Sequence, residues 1–322
     1  MFTGKAVTEQ DEYTHPPTPE PHFNESMYFN FFDHLRVCGG FTRIGNRPNE
    51  GYAEVTFLYY LPGSQGILFV FDRSPIASNS AFAAGGMQFR VVSPFKELSV
   101  SFNGQAFHLP DPMSLEDPKK ALSAAQGKAV ALALTVRGLS PVFGSAGAEG
   151  LSAGEEVEFA SAHYEQQTQS TGFIDIGGEK TELNALGLRD HSWGPRHWQA
   201  PKFYRWLTAQ FGPDLALMLT DFESPSGRKI QSGFVFRGGA NIPVKQVSID
   251  TDYAAGGRYQ LHLSAAFTTD EGERAVLAGE VLERVPLRNR RKGQTTRICE
   301  GFTRYALGDR VGYGISEYLD QE

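Results

Sequence analysis

Residues 52–72 read YAEVTFLYYL-PGSQ-GILFVFD. Two runs rich in β-branched and aromatic residues, Tyr52–Leu61 and Gly66–Asp72, flank a turn opened by Pro62-Gly63. That spacing predicts two strands paired across a tight connection. The same style recurs outward from it. Residues 87–104 form a run that Pro94 divides into two strands or one bent strand, because proline cannot donate to a ladder. Further runs lie at 129–136, 157–166 and 172–176. In the second half they lie at 204–210, 215–222, 233–236, 247–251, 259–267, 274–283, 295–305 and 310–318. Asn103-Gly104, Gly177-Gly178, Pro225-Ser226-Gly227 and Asp270-Glu271-Gly272 are turn signals. The main helical face in the first half is offered by 113–128, through Leu115, Ala121, Leu122 and Ala125.

Strands without interleaved helical periods argue against Rossmann and TIM-barrel folds and for antiparallel barrels or sandwiches. A chain of 322 residues is long enough for roughly two domains of about 150 residues. The expected fold class is therefore all-β, with two antiparallel β domains in tandem. Residues 1–27 read as an irregular arm, since Pro16, Pro17, Pro19 and Pro21 forbid a regular helix there. The expected domains are 28–185 and 186–322, the second opening where the strand pattern pauses.

The formal net charge of −7 carries no basic footprint for nucleic acid. The basic run from Arg288 to Lys292 reads as a solvated turn. Two cysteines, Cys38 and Cys299, are too few for a disulfide framework and fit a reducing compartment. No apolar run reaches the ~18–20 residues of a membrane span. The proline-rich start lacks the apolar core of a secretory signal. The expectation is a cytoplasmic protein with neither a nucleic-acid partner nor a membrane span. A homodimer stays open.

The pause itself reads Gly187-Leu-Arg-Asp-His-Ser-Trp-Gly-Pro-Arg-His-Trp198. It holds Asp190, His191 and His197 beside Arg189 and Arg196. All three tryptophans, Trp193, Trp198 and Trp206, fall in or just beyond it. Titratable groups interleaved with large aromatics suit a cavity wall that binds an apolar molecule and moves protons. The alternative is a structural corner, with Asp190 bonded to backbone N–H groups and the indoles filling a core. Just upstream, His163-Tyr164-Glu165-Gln166 ends a strand run. Strand alternation puts His163 and Glu165 on one face and Tyr164 and Gln166 on the other. The block from Gly39 to Gly51 reads either as a loop tied by Arg43, Arg47 and Glu50 or as an anion site. No third histidine has metal-ligand spacing with His191 and His197, so neither a metal nor another cofactor is expected. Three adjacent residues, Asp190-His191-Ser192, cannot face one another as a hydrolase triad.

The stretch GLRDHSWGPRHW, together with HYEQ and the blocks GGFTRIGNRPNEGYAE and EGFTRYALGDRVGYGISEY, resembles a lipocalin-like superfamily. It includes AttH-like proteins, carotenoid 1,2-hydratases (hydroxyneurosporene synthases), tocopherol cyclases and fungal cyclases. The match looks like a bacterial branch marked by the RDHSWG motif. The resemblance implies two lipocalin-like domains and a small hydrophobic substrate, often isoprenoid or polycyclic. It also implies protonation of an alkene and capture of the cation, with Asp190, His191 and Trp193 at the motif positions. In that scheme Asp190 is a carboxyl kept neutral by an aromatic pocket. His191 or His197 moves the second proton, and Tyr164 orients the substrate oxygen. Trp193, Trp198, Trp206, Arg196, His163 and Glu165 line the site. The function expected is a cofactor-independent hydratase, dehydratase, isomerase or cyclase. A hydrophobic-ligand carrier or sensor, and a C–C or C–O lyase on an aromatic compound, are the alternatives.

Overall fold

The computed structural model describes residues 5–146, 162–196, 201–291 and 293–322. The chain divides into two compact units, each all-β. The first comprises Met1–Tyr59, Ile67–Leu109 and Ala125–His197. The second comprises Tyr60–Gly66, Pro110–Ala124 and Trp198–Glu322. The stretch 186–196, expected to open the second domain, thus belongs to the first.

The strands of the first unit are β1 (Phe23–Asp33), β2 (Cys38–Arg47), β3 (Tyr52–Tyr60), β4 (Ile67–Pro75), β5 (Phe82–Ala84) and β6 (Met87–Ser93), followed by β7 (Glu97–Leu109), β8 (Gln126–Gly138), β9 (Phe143–Ser145), β10 (Ala162–Ile176) and β11 (Glu179–Pro195). They lie in the order β4-β3-β2-β1-β11-β10-β8-β7-β6-β5, with β9 against β10. The sheet also pairs β4 with β7 through Ile67↔Leu109, Leu68↔His108 and Phe69↔Phe107. The run from β4 to β7 therefore closes on itself as a ring. The PGSQ hairpin is present as read, and Pro94 separates β6 from β7. Gly177 and Gly178 take φ values of 64° and 96° between Ile176 and Glu179, the left-handed pair that a two-residue hairpin turn requires.

Three local expectations are corrected. Asn103-Gly104 lies inside β7, where pairing with β6 and β8 overrides its turn propensity. The helix expected over 113–128 is reduced to a 3-10 segment, Pro112–Glu116, and the short helix α1 (Pro118–Ala124). The turn-rich stretch 187–195 is regular strand, paired with β1 on one side and β10 on the other. Gly187 serves close approach: a Cβ there would meet the Asn30 carbonyl oxygen at 1.9 Å. Residues 157–161 lie outside the described residues.

The second unit contains β12 (Phe203–Gly212), β13 (Leu215–Glu223), β14 (Lys229–Arg237) and β15 (Ala240–Tyr253), then β16 (Gln260–Thr269), β17 (Arg274–Arg291), β18 (Gln294–Leu307) and β19 (Arg310–Gln321). These form a closed antiparallel barrel in sequence order. Every run read from the second half is one of its strands. Leu207, Leu217, Leu219, Val235, Leu263, Phe267, Tyr305 and Tyr318 fill the interior at alternate positions. The basic run expected as a turn is the end of β17 up to Arg291. Lys292 lies outside the described residues. Among the described residues, no helix is long and apolar enough to cross a membrane.

Candidate functional site

The β10–β11 hairpin carries most of the residues singled out in the sequence. Its register sets Ser192 opposite His163, His191 opposite Tyr164, Asp190 opposite Glu165 and Arg189 opposite Gln166. Alternation sends Asp190 and Ser192 to the face of His163 and Glu165. Arg189, His191 and Trp193 go to the face of Tyr164 and Gln166. Asp190 and His191, expected to act together, therefore stand on opposite faces of one sheet. This is a correction with a simple cause: neighbours in a strand cannot share a face.

On the first face, His163 Nε2 forms a hydrogen-bonded ion pair with Asp190 Oδ2 and lies 3.7 Å from Glu165 Oε1. The His163 side chain is 39% exposed, Asp190 18% and Glu165 1%. Burial penalises the imidazolium, but the charge and hydrogen bond of Asp190, then the charge of Glu165, push His163 up to about 9. Burial would raise Asp190, yet His163 and then Arg196 hold it below its ordinary value. Asp190 is thus a carboxylate rather than the neutral acid expected. Arg196 donates to Ser192 Oγ at 3.1 Å, and Ser192 Oγ lies 3.1 Å from Ser26 Oγ. Arg189 points away from Asp190. On β2, Arg43 and Arg47 each lie 3.2 Å from Glu54, and Arg47 lies 2.9 Å from Glu50. The Gly39–Gly51 block is tied internally in this way.

The second face is a closed polar network. Glu12, from the 3-10 turn Glu9–Glu12, receives both terminal nitrogens of Arg189, one of them at 3.0 Å. Tyr164 OH donates to Glu12 Oε1 at 2.7 Å and lies 3.2 Å from His191 Nδ1. His191 Nε2 lies 3.0 Å from Glu25 Oε1, which also meets His15 Nδ1 at 2.6 Å. Burial would raise Glu25, but hydrogen bonds from His15 and His191 bring it down to about 2. Trp193 stacks on His15 with ring centroids 4.0 Å apart. Glu12, Glu25 and His191 have no exposed surface. The arm expected to be irregular is therefore docked by this network, and β1 begins at Phe23.

Two donor triplets bring their ligand atoms within 4.8 Å of one another among the described residues: His15, Glu25 and His191, and His163, Glu165 and Asp190. In the first, Glu25 already bonds both imidazoles. The second has an exposed edge at His163. Trp206 lies in β12 of the second unit, half-buried and opposite Glu317 of β19. His197 and Trp198 lie outside the described residues. The sequence reading missed Glu12, His15 and Glu25. Glu12 reaches Arg189 across 177 positions of chain, and no local pattern marks such a pair.

A family model described as "Domain of unknown function (DUF7064)" matches residues 8–322. Among solved structures, a protein from Nitrosomonas europaea that carries the name AttH is similar at a TM-score of 0.60 and 15% identity, over 99% of this chain and 98% of that one. CghA, crystallised with Sch210972, is similar at 0.57 and 11%, over 99% and 97%. Kievitone hydratase from Nectria haematococca is similar at 0.58 and 10%, over 99% and 98%. At these identities the likeness is one of fold. No curated protein matches the chain by sequence.

Proposed function

The chain belongs to the DUF7064 family, and on that footing we propose that it is a proton-transfer enzyme acting on a small hydrophobic molecule, of hydratase or dehydratase type. The observation that carries the reading is the His163–Asp190–Glu165 cluster, a charged histidine with one exposed edge between two carboxyl groups. A carrier of apolar ligands has no need of such a group. The names of two fold relatives, kievitone hydratase and CghA with its bound Sch210972, agree with a small-molecule site.

In the dehydration direction the His163 imidazolium donates its proton to a departing hydroxyl, and the C–O bond breaks to release water. Glu165 takes the proton from the adjacent carbon, and that C–H pair becomes the new π bond. Asp190 keeps His163 charged and oriented. Acid and base stand on one face of the same strand, so both protons are handled from one side of the substrate. Hydration reverses the steps. Arg196, beside Ser192, anchors a polar end of the substrate, while His191 and Tyr164 hold the fold beneath.

The test begins with native mass spectrometry of the protein from its own host, which identifies a bound hydrophobic molecule. That molecule is then incubated with the protein in D2O. The wild type is expected to introduce deuterium at carbon, and His163→Gln to lose this by about 10²–10⁴-fold with an unchanged far-UV circular dichroism spectrum. A wild type that returns the molecule unlabelled is a carrier, and the reading fails.

A further inference from the structure

The face of the sheet turned toward the arm gathers one carboxylate and two imidazoles. Glu25 stands on β1 and His191 on the neighbouring strand β11, in the register Glu25↔Trp193 and Met27↔His191. Period two puts Glu25, His191 and Trp193 on one face. His15 comes from the arm and lies over them. Its ring stacks on Trp193 and sits 6.0 Å from the His191 ring. Donor atoms of His15, Glu25 and His191 lie within 4.8 Å of one another. Phe82 and Tyr164 meet the His191 ring edge-on, at 5.5 and 5.4 Å, and wall the inner side. His15 opens outward: its side chain is 21% exposed, whereas Glu25 and His191 expose none.

Donors and acceptors show what this cluster lacks. Glu25 Oε2 is occupied by the His15 N–H and the Asn79 amide. Oε1 faces both His15 Nδ1 and His191 Nε2. The outer nitrogens also face acceptors. His15 Nε2 lies 3.3 Å from Asp11 Oδ1. His191 Nδ1 lies 3.2 Å from the Tyr164 oxygen, whose single hydroxyl proton goes to Glu12 at 2.7 Å. A carboxylate oxygen only accepts, and a phenol that has given its proton does the same. Protons alone satisfy this arrangement only when two imidazolium rings crowd one carboxylate oxygen, one of them wholly buried. One metal ion satisfies it with both rings neutral. The inner nitrogens then give lone pairs to the ion, and the outer N–H groups donate to Asp11 and to Tyr164–Glu12. That outer pattern is the one that orients histidine ligands in metal sites. Charge agrees: Asp11, Glu12 and Glu25 face Arg189, a deficit that one divalent ion fills.

We propose that His15 Nδ1, Glu25 Oε1 and His191 Nε2 bind a divalent transition-metal ion of the zinc class, with water in the fourth position on the His15 side. Two imidazoles and one carboxylate are a donor set that zinc takes, with bonds of about 2.0–2.2 Å. Tetrahedral bonds of that length set ligand atoms about 3.3 Å apart. The present 2.6 and 3.0 Å contacts to Oε1 therefore open by less than about 1 Å, and His15 can move because the arm carries it. The ion joins the arm to β1 and β11. It lies on the face opposite the His163 cluster, and its presence does not depend on the reaction assigned there.

The full untagged chain, stripped with a chelator, is titrated with Zn2+ in a calorimeter and with Co2+ in a spectrometer. One equivalent of Zn2+ is expected to bind, and Co2+ to give the intense visible bands of a four-coordinate ion. His15→Gln, with an unchanged far-UV circular dichroism spectrum, is expected to lose both signals. Asp11→Asn is expected to weaken binding about 10–100-fold, and His163→Gln to leave it as in wild type. Zn2+ at about 100 times its Kd is expected to slow amide exchange around His15 by about 100-fold. A wild type that binds no Zn2+ overturns the proposal. So does binding that survives His15→Gln, and binding that His163→Gln removes, which would assign the ion to the opposite face.

Discussion

Glu12→Gln is the sharpest probe of how the arm is held. The substitution leaves shape nearly intact and removes one charge. Arg189, 1% exposed, then keeps its positive charge with no anion against it. Its guanidinium lies 5.3 Å from the Tyr164 ring centre and 5.9 Å from that of Phe95. Cation–π attraction returns roughly 0.5–2 kcal/mol, against about 3–5 kcal/mol for breaking a buried pair by removing one partner. The arm has a second way out: it can lift and let water reach Arg189. The loss is then capped at the free energy that docks the arm. That docking still keeps the His15 N–H on Glu25, Asn79 on the His15 carbonyl, and Asn49 on the carbonyls of Thr18 and Glu20.

Amide hydrogen exchange at His15 separates these routes. At about 1.4 kcal/mol per decade, 3–5 kcal/mol is roughly two to three and a half decades of faster exchange. If the arm lifts, amides near His15 accelerate while those of β10 and β11 stay protected. If the ring loosens, both accelerate and the urea midpoint falls. Glu12→Gln with Arg189→Met is expected to recover most of the loss, since an apolar replacement of a buried pair is often neutral or better. Exchange at His15 that changes less than about tenfold in Glu12→Gln would refute the role given to the pair.

Acid should act through Glu25. Its carboxyl is depressed from 4.5 to about 2, so its contribution is complete above pH 4.5 and is lost as pH falls through 2. The shift corresponds to something on the order of 3 kcal/mol, read as a steep acid limb in urea midpoints that Glu25→Gln flattens. Gly187→Ala should cost about 1–3 kcal/mol by overpacking, because the new methyl group meets the Asn30 carbonyl at 1.9 Å. A urea midpoint equal to wild type would show that β1 and β11 can part there without penalty.

The barrel was legible because its strands alternate, with apolar residues inward at every second position. The first unit was less so. β1 reads FNESMYFNFFD and is buried at every position, so its polar residues lie inside and alternation vanishes. β2 carries Gly39, Gly40 and Gly45 and reads as a loop. Gly40 is there because a Cβ would meet the Leu58 carbonyl oxygen at 1.9 Å. The same limit governed the site. The faces of His163 and Tyr164 followed from period two, as did their separation. Asp190 and His191 looked like partners because they adjoin in sequence, yet the same period divides them once 187–195 is recognised as strand. Glu12's contribution was invisible, since Tyr164 and Arg189 lie more than 150 positions away in the chain.

The acidic side chains sort by what neutralises them, and the sorting separates folding from chemistry. Glu12 meets a guanidinium, a phenol and a backbone N–H, and Glu25 meets two imidazoles, an amide and a backbone N–H, and a carboxylate so held has no proton to give. Asp190 shares its proton partner with an exposed edge. The Oε2 of Glu300 is buried without a hydrogen-bond partner among the described residues, while Ile298 and Phe302, on the same face of β18, are apolar and buried. A carboxyl raised from 4.5 to about 8 supports the fold fully below pH 4.5, and that support is lost as pH rises through 8. Glu300→Gln has no proton to lose, so its stability should exceed that of wild type above neutrality, by urea midpoint at pH 9. A Glu300→Gln protein less stable than wild type at pH 9 would show that the buried carboxyl contributes packing or hydrogen bonding that outweighs its burial.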